Sequence, residues 1–161
     1  MEFPQIDPVA IALGPLQIHW YGLMYLFGFV GGWLLLTWRA GRPDSGWTRD
    51  QVSDLVFYVA LGVILGGRVG YVLFYNFGKF LDDPLWLFAI WTGGMSFHGG
   101  ALGVLFAFWL LARKFGKRYF SVADFAVPVV PIGLATGRFG NFINGELWGR
   151  PSDAPWAMVF P

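Results

Sequence analysis

From Gln17 to Trp38 the chain is apolar apart from a polar start at Gln17 and His19. A helix needs about 20 such residues to cross the hydrocarbon core of a bilayer. Three further stretches resemble it. Val52 to Tyr75 holds Asp54 near its start and Arg68 in its latter half. Leu85 to Ala112 is long for one span and is interrupted by Gly93-Gly94, which reads as a re-entrant or interfacial piece followed by a helix from about Phe97. Ser121 to Phe142 contains Pro128 and Pro131, which remove backbone donors and are expected to kink it. The expected fold is all-α: a polytopic membrane helical bundle with segments 17–38, 52–75, 85–112 (broken near 93–94) and 121–142, in a single transmembrane domain over 1–161.

Composition agrees with a membrane environment. Charged residues make up 13% of the chain, against about 25% in soluble domains, and aromatic residues make up 20%. Trp and Tyr favour the membrane interface, where an apolar ring and a polar edge are both satisfied. A net charge of +1 offers no field for nucleic acid. The absence of cysteine excludes disulfides, thiolate metal sites and a cysteine nucleophile. Neither a metal-ligand cluster nor a nucleotide-binding loop occurs, so no cofactor and no metal are expected. The start, Met1-Glu2-Phe3-Pro4, lacks the basic region of a cleavable signal peptide.

Loop charge sets an expected orientation. Arg39, Arg42 and Arg49 lie in the first connection and Arg113, Lys114, Lys117 and Arg118 in the third, whereas the second carries Lys79 against Asp82 and Asp83. The positive-inside rule puts the first and third connections in the cytoplasm, and the N-terminus and the tail from Asn141 outside. Small residues recur four apart at Gly28/Gly32, Gly62/Gly66, Gly66/Gly70, Gly99/Gly103 and Gly133/Gly137, a spacing that lets helices approach closely in lipid.

Ionisable groups inside a bilayer are costly and mark function. Arg68 lies seven residues before Tyr75, roughly 10 Å from the outer end of its helix. Arg138, His98 and Tyr21 fall at a similar depth near the outer leaflet. Arg68 can instead snorkel to the interface or pair with Glu146, and Tyr21 can be an interfacial anchor. Asp124, three residues after Ser121, resembles a capping box. Ser96 is placed to cap the helix that carries His98, and a helix N-terminus disfavours imidazolium, leaving the neutral ring a general base requires. Paired arginines suit phosphate oxygens. From these residues alone the inference is an outward-facing intramembrane pocket for a phosphate-bearing lipid, with a candidate base; the reaction does not follow.

Four motifs occur in order: His19-Trp20-Tyr21-Gly22-Leu23-Met24-Tyr25, Gly66-Gly67-Arg68-Val69-Gly70-Tyr71, Gly94-Met95-Ser96-Phe97-His98-Gly99-Gly100, and the run from Gly137 to Arg150 with its two arginines, two asparagines and one glutamate. Together they resemble the bacterial prolipoprotein diacylglyceryl transferases over essentially the whole chain. The resemblance implies transfer of a diacylglyceryl group from phosphatidylglycerol to the lipobox cysteine thiol in the signal peptide of a preprolipoprotein. It implies a multi-pass protein of the cytoplasmic (inner) membrane with its active site toward the outer leaflet. It also implies roles: Arg138 on the lipid phosphate, His98 as base, Tyr21, Asn141 and Gly149 at essential positions, and Glu146 and Arg68 orienting the site. Family members are expected to have seven helices and to continue past Pro161 with a head domain and another essential arginine. A transporter shares broken helices and intramembrane Arg and His, but no inverted repeat is seen and the ionisable groups cluster on one side. A non-catalytic lipid-binding subunit is the third reading.

Overall fold

A computed structural model describes residues 1–160; Pro161, the last residue of the expected domain, lies outside them. Contacts divide the chain into two compact units, Met1–Leu34 with Pro128–Pro161, and Leu35–Val127.

The first unit opens with a hairpin. Strands β1 (Val9–Leu13) and β2 (Leu16–His19) pair antiparallel, with Leu13 opposite Leu16. Gly14 turns between them at φ +61°, a left-handed conformation that costs a residue without Cβ little. Helix α1 (Trp20–Ala40) follows at once, the Trp20 N–H donating to Pro8 O at 3.0 Å. The first span therefore starts at Trp20 and not at Gln17. Gln17–His19 are strand because the hairpin turn pairs them with Val9–Ala12, and so short a segment serves either structure. Helix α6 (Val130–Ile143) packs on α1 through small residues. A Cβ on Gly28 would lie 2.8 Å from Thr136 Oγ1, and one on Gly31 would lie 3.2 Å from Ile132. The N-terminal residues run beside the tail: Phe3 N–H donates to Val159 O at 3.0 Å, and Phe3 contacts both Phe142 and Phe160.

The second unit is built on two long helices, α2 (Arg49–Tyr75) and α4 (Phe97–Phe115). Thr48 and Gln51 cap α2 reciprocally, so it begins one turn before Val52. Ser96 Oγ accepts from Gly99 N–H at 3.2 Å to open α4, and Gly116 closes it in the left-handed conformation. Between them lie α3 (Phe77–Asp82) and two 3-10 turns, Pro84–Phe88 and Ile90–Thr92. The break expected near 93–94 is thus a non-helical stretch reaching back to Pro84. The glycines of α2 and α4 interlock: a Cβ on Gly66 would meet Gly103 Cα at 2.9 Å, and one on Gly70 would meet Gly99 Cα at 2.8 Å. Such close backbones maximise contact where water cannot drive association. Helix α5 (Tyr119–Ala126) starts before Ser121, so Ser121 and Asp124 are interior and the expected capping box does not form.

The 3-10 turn Val127–Val129 joins α5 to α6. Pro128 sits in that turn, where the α-helical pattern is interrupted, while Pro131 falls in the first turn of α6, where its missing N–H costs nothing. Among the described residues, three stretches are long and apolar enough to cross a membrane: Trp20–Ala40, Arg49–Tyr75 and Tyr119–Ile143. The expectation was four. Helix α4 falls short because polar His98 at its start and charged Arg113 and Lys114 at its end leave an apolar stretch of only 99–112. The fold is that of a helical membrane protein, with large apolar side chains outside. Leu26, Phe27, Val30, Leu34, Leu61, Leu65 and Leu73 are exposed, whereas Gly28, Gly32, Gly67 and Gly70 are buried. That inversion suits a lipid solvent.

Candidate functional site

In the first unit the polar residues of the Gly137–Arg150 run gather at the end of α6. Glu146 is the hub. Its Oε1 accepts from Asn141 Nδ2 at 3.2 Å and from Asn144 Nδ2 at 3.1 Å, while its own N–H donates to Asn141 O at 3.0 Å. The helix stops because Gly145 takes φ +66°, which turns the chain back over its last residues. Leu147 at φ +53° continues the turn and offers its carbonyl to Arg138 Nη1 at 3.2 Å. That single bond leaves most of the guanidinium's donors for a ligand, and the side chain is exposed. Gly149 at φ +98° occupies a conformation that residues with side chains rarely adopt and only under strain, which is the physical reason for glycine there. Tyr21 is half-buried beside the same helix: a Cβ on Gly140 would lie 2.8 Å from its ring, which also packs on Tyr25 at 5.2 Å. Tyr21, Arg138, Asn141, Glu146 and Gly149 therefore belong to one unit. Asn144 joins them as a residue the reading of candidates missed, although its place three after Asn141 puts both on one helix face.

The second unit holds Arg68 and His98. Arg68 is 2% exposed. Its Nε donates to Leu87 O at 3.0 Å, Nη1 to Gly93 O at 2.7 Å, and Nη2 to Trp86 O at 2.7 Å and Thr92 Oγ1 at 3.3 Å. The guanidinium also lies 4.5 Å from the Trp86 ring centroid. Nearly every donor is thus committed to the stretch 86–93 between α3 and α4. The motifs around Arg68 and His98 fit into each other. Gly67 O accepts from Ser96 N–H at 2.9 Å, Met95 lies against Gly67, and the Tyr71 ring fills the space a side chain on Gly94 would need. Gly94 takes φ +86° there. This clasp turns the chain into α4 and sets His98 in its first turn, exposed and edge-on to Phe97 at 5.7 Å.

Comparison with known proteins decides the family. The model of the family described as prolipoprotein diacylglyceryl transferase matches residues 8–161. The chain belongs to this family. Curated relatives named phosphatidylglycerol–prolipoprotein diacylglyceryl transferase agree over the whole of it: 62% identity with one from Legionella pneumophila, 64% with one from Aliivibrio fischeri and 65% with one from Photobacterium profundum. The chain covers 63%, 58% and 60% of those three proteins, so it spans about three-fifths of the length of these diacylglyceryl transferases.

Proposed function

We propose that the protein transfers a diacylglyceryl group from phosphatidylglycerol to the lipobox cysteine thiol of a preprolipoprotein, the first step of lipoprotein maturation. It does so in the bacterial cytoplasmic membrane, with its N-terminus and site facing outward and its Arg39–Arg49 and Arg113–Arg118 connections inside. What supports the reading is family membership together with the hydrogen-bonded hub at the end of α6, which organises the polar residues of the family's signature around a largely uncommitted arginine.

The chemistry follows from charge. The thiol must lose its proton to become nucleophilic, and His98 is the assigned acceptor. The sulfur then bonds to the glyceryl carbon while that carbon's bond to the phosphate oxygen breaks. Glycerol phosphate departs carrying one more negative charge than the diester it came from. Arg138 is assigned to hold the phosphate, because a planar fork of donors matches its oxygens and gains most as charge develops. Glu146, with Asn141 and Asn144, fixes the turn that presents Arg138, and Gly149 lets the chain pass. Tyr21 is assigned to the substrate side of α6, and Arg68 to positioning the segment before His98.

The test is transfer itself. The chain in detergent is mixed with phosphatidylglycerol and a lipobox peptide, and the cysteine is examined by mass spectrometry, with a full-length relative as positive control. An adduct abolished in Arg138→Ala supports the reading. No adduct from the chain or from a version extended to the relatives' length refutes it. His98→Gln with full turnover would remove the base role.

A further inference from the structure

The transfer mechanism leaves unused a second collection of charge, at the far end of α4 from His98. Arg39, Arg42, Arg49, Arg113, Lys114, Lys117 and Arg118 stand there with Asp44, Asp50, Asp54 and Asp124, seven cations against four carboxylates. Among the described residues the one ion pair is Lys114 to Asp54, at 2.8 Å. Of the remaining cations, Arg39, Arg42, Arg113 and Lys117 lie over aromatic rings and not against acids.

Two connections about 70 residues apart are folded into one surface here. Lys117 Nζ donates to Gly46 O at 2.6 Å and lies 4.7 Å from the Trp47 ring centroid. Trp47 stacks on Phe125 at 4.1 Å with 9° between the planes, and meets Phe115 edge-on at 6.0 Å. The Arg39 guanidinium lies 5.2 Å from the Phe125 centroid. Ser45 fixes the turn that presents Trp47: its Oγ donates to Ala40 O at 2.8 Å and accepts from Trp47 N–H at 3.2 Å. On the flanks Arg42 lies 4.0 Å over Trp38 and Arg113 lies 4.6 Å over Trp109. Phe125 is buried, Trp47 half-buried, and Arg42, Arg113 and Arg118 are exposed. The result is an anchored aromatic pair ringed by cations whose outward N–H groups are not met by protein carboxylates.

We propose that this face binds the phosphate of anionic phospholipids in the leaflet that meets this end of the helices. The position selects lipid as the occupant. Arg39 and Arg49 fall at the ends of two spans, and helix ends with Trp lie at headgroup level. A cation seated on a ring there keeps its donors toward the headgroup and its stem against apolar surface. An excess of basic residues beside transmembrane helices is the pattern that attracts anionic headgroups.

The probe is phosphatidylserine with brominated acyl chains, read by quenching of tryptophan fluorescence in the full chain in neutral detergent, with brominated phosphatidylcholine as reference. Phosphatidylserine is not the donor of the transfer reaction, so this site and the transfer reading fail separately. The double variant Arg42→Gln, Lys117→Gln is expected to bind phosphatidylserine about 30-fold more weakly, each cation being worth about a factor of five near a headgroup, with phosphatidylcholine unchanged. The charge-preserving double variant Arg42→Lys, Lys117→Arg keeps binding. In the unmutated chain, raising salt weakens phosphatidylserine and spares phosphatidylcholine, a result that does not depend on any variant folding. Equal affinity for the two lipids in the unmutated chain, or unchanged phosphatidylserine binding in the glutamine variant, overturns the proposal. So does displacement of the lipid by equimolar inorganic phosphate, which would make this a site for the free anion.

Discussion

Replacing Arg68 by methionine separates a residue that holds the fold from one that holds a ligand. The substitution keeps an unbranched, apolar stem of similar reach and deletes the guanidinium. Four hydrogen bonds disappear, and the carbonyls of Trp86, Leu87 and Gly93 lose their charged donor. Each such acceptor left unsatisfied away from water costs about 1–3 kcal/mol. Trp86 O keeps the Ala89 N–H at 3.1 Å, Leu87 is half-buried and Gly93 exposed, so the lower part of that range applies to two carbonyls, and the total comes to roughly 2–3 kcal/mol. The loss is local, because the clasp ties 86–96 to α2 while the capped body of α2 is remote from it. Hydrogen exchange read by mass spectrometry is therefore the assay. A loss of about 3 kcal/mol in local opening speeds exchange roughly a hundredfold, and the expected increase is confined to residues 84–98 with α2 before Gly62 unchanged. Arg68→Lys, a single point donor that reaches one carbonyl at a time, is expected to fall between. Unchanged exchange over 84–98 in Arg68→Met, combined with loss of phosphatidylglycerol binding, would refute the argument and make Arg68 a direct ligand.

The other predictions follow from single contacts. Gly66→Leu inserts a side chain where a Cβ already meets Gly103 at 2.9 Å, so thermal unfolding in detergent should show a loss of about 1–3 kcal/mol or more from overpacking. Glu146→Ala strips both asparagines of their acceptor; the transfer assay should show turnover reduced on the order of 10²-fold through misplacement of Arg138, with Glu146→Gln retaining more because its amide oxygen still accepts. Thr48→Ala removes the hydroxyl that accepts from Gln51 N–H, leaving only the Gln51 side chain's bond to the residue 48 N–H, and should cost about 1 kcal/mol by thermal unfolding, with turnover unchanged below the melting range.

Much of this architecture was legible because the signals are local. Length and hydropathy identify α1 and α2, Ser96 announces the start of α4, and Gly93-Gly94 mark a break, since each depends only on neighbours along the chain. What escaped depends on partners far away in sequence. Gln17–His19 run into the helix behind them with no glycine, proline or charge between, and only pairing with Val9–Leu13 makes them strand. Ser121 and Asp124 have capping spacing, but α5 already begins at Tyr119. Arg68 is the most instructive case. A lone arginine in an apolar helix reads as either a snorkelling charge or a ligand for an anion, since both satisfy a cation in lipid. The structure supplies a third solution, in which the protein's own backbone provides the acceptors. The exchange is mutual: the Leu87 and Gly93 carbonyls lack backbone donors among the described residues, and the guanidinium lacks water. Arg68 and the 86–93 stretch therefore solve each other's problem. This leaves Arg138, with one backbone bond and an exposed guanidinium, as the arginine of the pair with donors to offer a phosphate.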